Sequence, residues 1–242
     1  MATIIQDFFN VTILSSFAFL VMTFLLVHFS IKQIAIKNKK ISWKYSFVIL
    51  AGLLCWFGIV FFMGRTGVFS KNPLVAPYLA IGFIFLFGIL QKLYHNETIR
   101  KLFEHTSQPW LIGIQLYRIV GFYFIYLYHQ GVLPGLFAFS AGIGDMIVGF
   151  SAPFVAYTIY KQKPYAKKLA IFWNIIGIID LVIAIGIGII GFPRPIQFLP
   201  LQPSMEQISL FPLMMIPLFA VPLALFLHFC GLRVLRENKE KK

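Results

Sequence analysis

Charge is what this sequence has least of. Only 12% of its 242 residues are Asp, Glu, Lys or Arg, and only eight of those are acidic. Soluble domains carry roughly twice that charged fraction to face water, so an ordinary water-soluble globule is excluded. Cysteine is nearly absent: Cys55 lies within an apolar run and Cys230 at the end of another, which excludes a disulfide-stapled scaffold. The opening "MATIIQDFFN" has no Lys or Arg and no small-residue cleavage pattern follows it, so a removable signal peptide is not expected. The glycosylation patterns at Asn10 and Asn96 read as chance, because the first abuts an apolar run and the second falls on the inner side of the topology derived below.

What is abundant is hydrophobicity, at 59% of residues with a mean hydropathy of +0.83. It falls into seven runs, approximately 11–31, 45–63, 74–91, 111–130, 136–157, 169–191 and 210–230. Runs of about 20 apolar residues suit helices crossing about 30 Å of hydrocarbon, where every backbone amide needs an internal partner. The predicted fold is therefore all-α, a single transmembrane domain over residues 1–242 made of seven membrane helices.

Basic residues set its direction. With the N-terminus outside, inner segments hold Lys32, Lys37, Lys39, Lys40 and Lys44, then Lys92, Arg100 and Lys101, then Lys161, Lys163, Lys167 and Lys168, then Arg233, Arg236, Lys239, Lys241 and Lys242. Outer segments hold only Arg65, Lys71 and Arg194. The positive-inside rule then predicts N-outside and C-inside. The net charge of +13 comes from these short clusters beside the membrane, which fits anionic lipid headgroups as partners and not nucleic acid.

Two connections are long. The inner one, 92–110, could lie at the interface as a short helix with Leu93, Ile99, Leu102 and Phe103 toward lipid. The outer one, 192–209, carries Pro193, Pro195, Pro200 and Pro203 and is expected to be extended. Helix seven contains Pro212, Pro217 and Pro222, each able to remove a helical hydrogen bond, and is the candidate hinge.

Three ionisable residues lie deep in the predicted helices. Arg118 is roughly 11 Å from the inner edge, Asp145 roughly 13 Å from the outer edge and Asp180 roughly 16 Å from the inner one, at 1.5 Å per residue. Charges at that depth cost several kcal/mol unless they face one another or water. Asp145 shares a face with Ala138, Ala141, Gly142, Gly149 and Ala152, and Asp180 shares one with Asn174, Gly177, Ala184, Gly188 and Gly191. Such small-residue stripes let helices approach closely, so Gly142, Gly149, Gly177, Ala184 and Gly188 are predicted packing positions. On helix four, Gln115, Arg118, Tyr126 and His129 are expected to share a face. The prediction is a buried cluster of Arg118, Asp145 and Asp180, with Asn174 and Gln115 beside it. One arginine balances one carboxylate, so the second Asp is expected to carry a proton at neutral pH.

"GIGDMIVG" at 142–149 also resembles "GIIDLVIA" at 177–184, aligning Asp145 with Asp180 on antiparallel helices. An inverted repeat would require that direction, but eight residues in an Ile/Gly-rich chain are expected by coincidence. "GIGD" resembles the Gly-x-Gly-Asp signature of intramembrane aspartyl proteases such as presenilins and prepilin peptidases. In those families the partner Asp precedes this motif, whereas Asp180 follows it, and "VPLAL" stands where presenilin-type enzymes have Pro-Ala-Leu. "GIGIIG" at 186–191 matches a dinucleotide fingerprint but lies in an apolar helix with no preceding strand. Helix seven has no Lys for a retinal Schiff base, and His28, His95, His105, His129 and His228 lack metal-ligand spacing and are expected at interfaces or in loops. No metal or cofactor is predicted, and an enzyme is not the favoured class.

Residues 115–231, with "QLYRIVGFYFIYLYHQGVLPGLFAFSAGIGDMIVGFSAP", "WNIIGIIDLVIA" and "FPLMMIPLFAVPLALFLHF", resemble a family of small bacterial multi-pass membrane proteins without an assigned activity. The resemblance implies a bacterial inner (plasma) membrane. Three functional classes stay open: a small transporter or permease for an ion or small molecule, with the Arg/Asp/Asp site at its midplane; a structural or accessory subunit held by a buried ion pair; and a Gly-x-Gly-Asp protease.

Overall fold

The computed structural model describes residues 13–31 apart from 15, 26 and 30, then 43–68, 75–97, 106–193 and 198–237. Among them there is no strand. Seven principal helices follow in order: α1 (Ser16–Phe29), α2 (Trp43–Arg65), α3 (Val75–His95), α4 (Gln108–His129), α5 (Gly135–Tyr160), α6 (Ala166–Ile190) and α7 (Val221–Glu237). Five stretches are long and apolar enough to cross a membrane: Phe47–Arg65, Gln108–His129, Gly135–Tyr160, Ala166–Ile190 and Ile216–Arg236.

The predicted Asn10, Lys32, Lys37, Lys39, Lys40, Lys71, Arg100, Lys101, His105, Arg194, Pro195, Lys239, Lys241 and Lys242 lie outside the described residues, as do Ile99, Leu102 and Phe103 of the interfacial segment.

α7 is the centre of the bundle. Its spanning window is 83% buried, against 17–44% for the other four. Leu223 through His228 are all buried, which an apolar helix requires only when neighbours surround it. α5 packs between α4 and α6, while α7 packs on α6, α3 and the start of α4. Outward faces are apolar instead: Ile143, Ile147, Phe150, Phe154 and Tyr157 of α5 are all exposed at spacings of three and four. Polar side chains turn inward, the reverse of a water-soluble helix and the arrangement lipid demands.

The last helix departs from the prediction. The run 210–230 is not one helix: Pro212 sits in a turn, Ile216–Ala220 forms a π-helical turn containing Pro217, and regular α-helix starts at Val221 and runs to Glu237. Pro222 therefore follows the π turn within a continuous helical run, and the Leu218 carbonyl four residues before it accepts from Trp56 Nε1 at 3.0 Å in place of the missing N–H. The proline inside a long helix is Pro153 of α5 instead. The outer connection also differs, for Met205–Ser209 forms a 3₁₀ turn, capped by the Ser204 hydroxyl accepting from the Glu206 N–H. Its Met205 and Ile208 are buried in the core, so apolar burial folds this segment over the bundle.

α4 is regular only at its ends. Ile114–Gly121 is 3₁₀, between α-helical Gln108–Gly113 and Phe122–His129. Each 3₁₀ residue turns 120° where an α residue turns 100°, so eight residues add about 160° of rotation. The expected shared face is split for that reason: Gln115 and Arg118 are buried, whereas Tyr126 and His129 are exposed.

Candidate functional site

The 3₁₀ stretch eclipses residues three apart, stacking Gln115, Arg118 and Gly121 on one buried edge. Arg118 is 2% exposed, and its guanidinium is the hub of a four-helix contact. Its Nε donates to Asp145 Oδ1 of α5 at 2.6 Å, and its Nη2 donates to Asp180 Oδ2 of α6. Nη1 donates to the Gly177 carbonyl at 3.4 Å and lies 3.3 Å from His228 Nε2 of α7. A planar fork of N–H donors can meet separate acceptors in this way; a lysine ammonium cannot reproduce the geometry.

These contacts fix the histidine tautomer. Arginine has no acceptor, so His228 Nε2 must accept from it and Nδ1 must carry the proton. Nδ1 then donates to Asn174 Oδ1 at 2.9 Å, and Asn174 Nδ2 donates to the Ala170 carbonyl at 2.8 Å. The Trp173 ring lies 5.2 Å from the His228 ring, centroid to centroid, and its Nε1 donates to Ser151 Oγ at 2.8 Å. Neutral His228 is thus held on both nitrogens and one face.

Glycines make the approach close enough. The Asp180 carboxylate occupies the space a β-carbon on Gly144 would take, Asp145 lies against Gly121 in the same manner, and His228 against Gly177. A β-carbon at Gly142 would stand 2.8 Å from the Gly121 carbonyl oxygen, and one at Gly149 would stand 2.6 Å from the Ile119 amide nitrogen. Ala184 packs half-buried against the core. Gly188 is different, since a β-carbon there would meet nothing within 4 Å among the described residues.

Beside the cluster is a cavity of about 60 Å³, bounded by Asp145, Arg118, Gly121, Tyr117, Ser16 and the π turn at Ile216 and Ala220. Small-molecule sites measure about 300–1,000 Å³, so this one holds a few waters and no organic substrate. It lies in the half of the bundle away from the basic ends of α5, α6 and α7, which bear Lys161, Lys167, Lys168, Arg233 and Arg236.

The geometry brings Arg118, Asp145, Asp180 and Asn174 together. It leaves Gln115 one 3₁₀ turn away, where Nε2 donates to the Ala224 carbonyl at 3.4 Å. It adds His228, which is not the interfacial histidine expected from spacing but is 1% exposed at the heart of the cluster. The available signal was that α7 is apolar on every side, so a polar residue in it had to be buried. His129, by contrast, is exposed at the end of α4. The two carboxylates share an arginine, each accepting from a different nitrogen of its guanidinium. Among the described residues, no three His, Cys, Asp or Glu side chains group as a metal site.

No curated protein and no solved structure matches the chain. A family model does match, over residues 75–236, more than half of the chain and inclusive of Arg118, Asp145, Asn174, Asp180 and His228. The chain belongs to the family described as domain of unknown function DUF8737.

Proposed function

We propose that this protein is a small proton-coupled transporter of a bacterial plasma membrane, one transmembrane unit of seven spans with its N-terminus outside. Arg118, Asp145 and Asp180 are its proton-binding centre. The observation that carries this reading is a buried guanidinium facing two carboxylates, one of which borders a cavity of water size. One cation and two carboxylates bear a net charge of −1, and a single proton makes the cluster neutral. Charge inside a bilayer is costly, so occupancy of that proton is coupled to the field and to helix packing. A proton entering from the cavity is taken by Asp145, leaving Arg118 paired with Asp180.

α1 and α3 are the two remaining spans in this topology. Lys161, Lys163, Lys167, Lys168, Arg233 and Arg236 face anionic headgroups on the inner side; the Arg233 donation to the Tyr94 carbonyl at 2.7 Å brings the ends of α3 and α7 to that same rim. The segment from Pro212 through the π turn containing Pro217, which adjoins the cavity, is the candidate moving element.

The rival reading is a structural ion-pair knot, favoured by the number of partners that close around Arg118. Proteoliposomes with an internal pH-sensitive dye and an imposed inside-negative potential separate the two. Wild type is expected to acidify its lumen and D145N and D180N to lose this. Equal traces for wild type and the D145N/D180N double variant would reject the proton reading and leave the structural one.

A further inference from the structure

Two buried glutamines have no place in the centre described so far. Gln108 and Gln115 stand seven residues apart on α4 and are 8% and 0% exposed. Each donates its Nε2 to a carbonyl of α7, at Gly231 and Ala224 respectively, both at 3.4 Å. The carbonyls are also seven apart, so the two side chains form successive rungs across an antiparallel α4–α7 seam. Those donations fix the amide orientation, because a flipped amide would set oxygen against oxygen. Both Oε1 atoms are then buried without a donor among the described residues.

Their surroundings are polar in one direction. Between the rungs, on the facing helix, stands His228, bonded to Arg118 and Asn174. Asn174 in turn abuts the Gly231 backbone, where a β-carbon would lie 3.1 Å from Asn174 Oδ1. Polar groups thus follow one another from Arg118 through His228 to Asn174, which abuts Gly231, whose carbonyl accepts from Gln108, the first residue of α4, at the basic end. A buried amide oxygen in apolar surroundings is satisfied by internal water when no protein donor reaches it. Two such oxygens lie on this one seam, that of Gln108 nearer the basic membrane face.

We infer that the α4–α7 seam holds a file of water bound by Gln115 and Gln108, which connects the Arg118–His228 side of the centre to the basic face. It deepens the proton reading, on which its role as an access route rests, by giving the centre a wet side opposite the Asp145 cavity. The proton would pass along waters; Arg118 and the fixed His228 tautomer orient the last of them without exchanging their own charge.

Pulsed X-ray hydroxyl-radical labelling of the full chain, read by peptide mass spectrometry, tests it, because radicals born from bound water oxidise adjacent side chains. Leu111, buried on the α4 face between the two glutamines, and His228 are expected to be oxidised in wild type and protected in the Q108L/Q115L variant. Lack of oxidation at both in wild type, or equal oxidation in the variant, overturns the water file. The proteoliposome assay separates failures: labelling without proton movement removes the transport reading and keeps the file, and proton movement without labelling removes the file alone.

Discussion

Replacing Gly144 with alanine is the sharpest probe of how this centre is built. The glycine leaves a space on α5 that the Asp180 carboxylate of α6 fills, so a methyl group there must push that carboxylate off. The methyl itself favours helix by about 0.5–1 kcal/mol relative to glycine. Against this stands the donation from Arg118 Nη2, and losing a hydrogen bond to a charged group costs about 1.5–3 kcal/mol. If the displaced carboxylate stays buried, the cost approaches the ~3–5 kcal/mol of a broken internal ion pair. The net expectation is a loss of about 1–3 kcal/mol, or several degrees in melting temperature for a chain of this size. Intrinsic tryptophan fluorescence on heating in detergent measures it. Gly186→Ala on α6 is the control, since a β-carbon there meets nothing within 4 Å and should leave the melting temperature unchanged or higher. In an Asp180→Ala background, where the clash is gone, Gly144→Ala should cost nothing. Equal melting temperatures for the Gly144 and Gly186 variants, or an undiminished cost in the Asp180→Ala background, would refute the reasoning.

Arg118→Leu removes the guanidinium that pairs with both partly buried carboxylates and should destabilise by about 3–5 kcal/mol. Adding D145N and D180N should recover most of it in the same melting assay, because no buried charge then lacks a partner. His228→Phe fills the ring volume but orphans the Asn174 oxygen, so a loss of about 1–3 kcal/mol is expected; His228→Asn should lose less if it restores a donor there, and size-exclusion elution will show whether both stay folded. Pro222→Ala should shift the melting temperature by no more than about 1 kcal/mol equivalent, since the Leu218 carbonyl that the proline leaves free already accepts from Trp56 Nε1. A large effect on melting would place Pro222 in a strained interior position after all.

Much of the fold was legible because lipid imposes one rule on every segment. The ends of α2, α3, α4, α5 and α6 lie within a few residues of the apolar runs that predict them, and Arg118, Asp145 and Asp180 meet as the cost of isolated buried charge requires. Small-residue stripes were readable in kind but not in detail. Gly144 receives the Asp180 carboxylate and Gly121 the Asp145 β-carbon, both off the predicted face or helix, while Gly188, on the stripe, has no neighbour within 4 Å of a β-carbon among the described residues. Helix seven misled because hydropathy cannot tell a proline-rich approach from a helix interior. The face of α4 misled because nothing in a hydrophobic pattern marks a change from 3.6 to 3.0 residues per turn.

That change of winding is what assembles the site. At 100° per residue, Gln115, Arg118 and Gly121 would fan over 600° of rotation, a spread of about 60° either side of the arginine. At 120° they fall in line, which sets the glycine directly over the arginine and admits Asp145 beside it. The same overwinding carries Tyr126 and His129 away to the surface. Across the middle of the bundle, the π turn before α7 opens the cavity on one side of Arg118, and the regular helix after it presents His228 and the Ala224 and Gly231 carbonyls on the other. Two departures from α geometry at the same depth therefore divide the interior into halves of unlike polarity, with one guanidinium at the boundary.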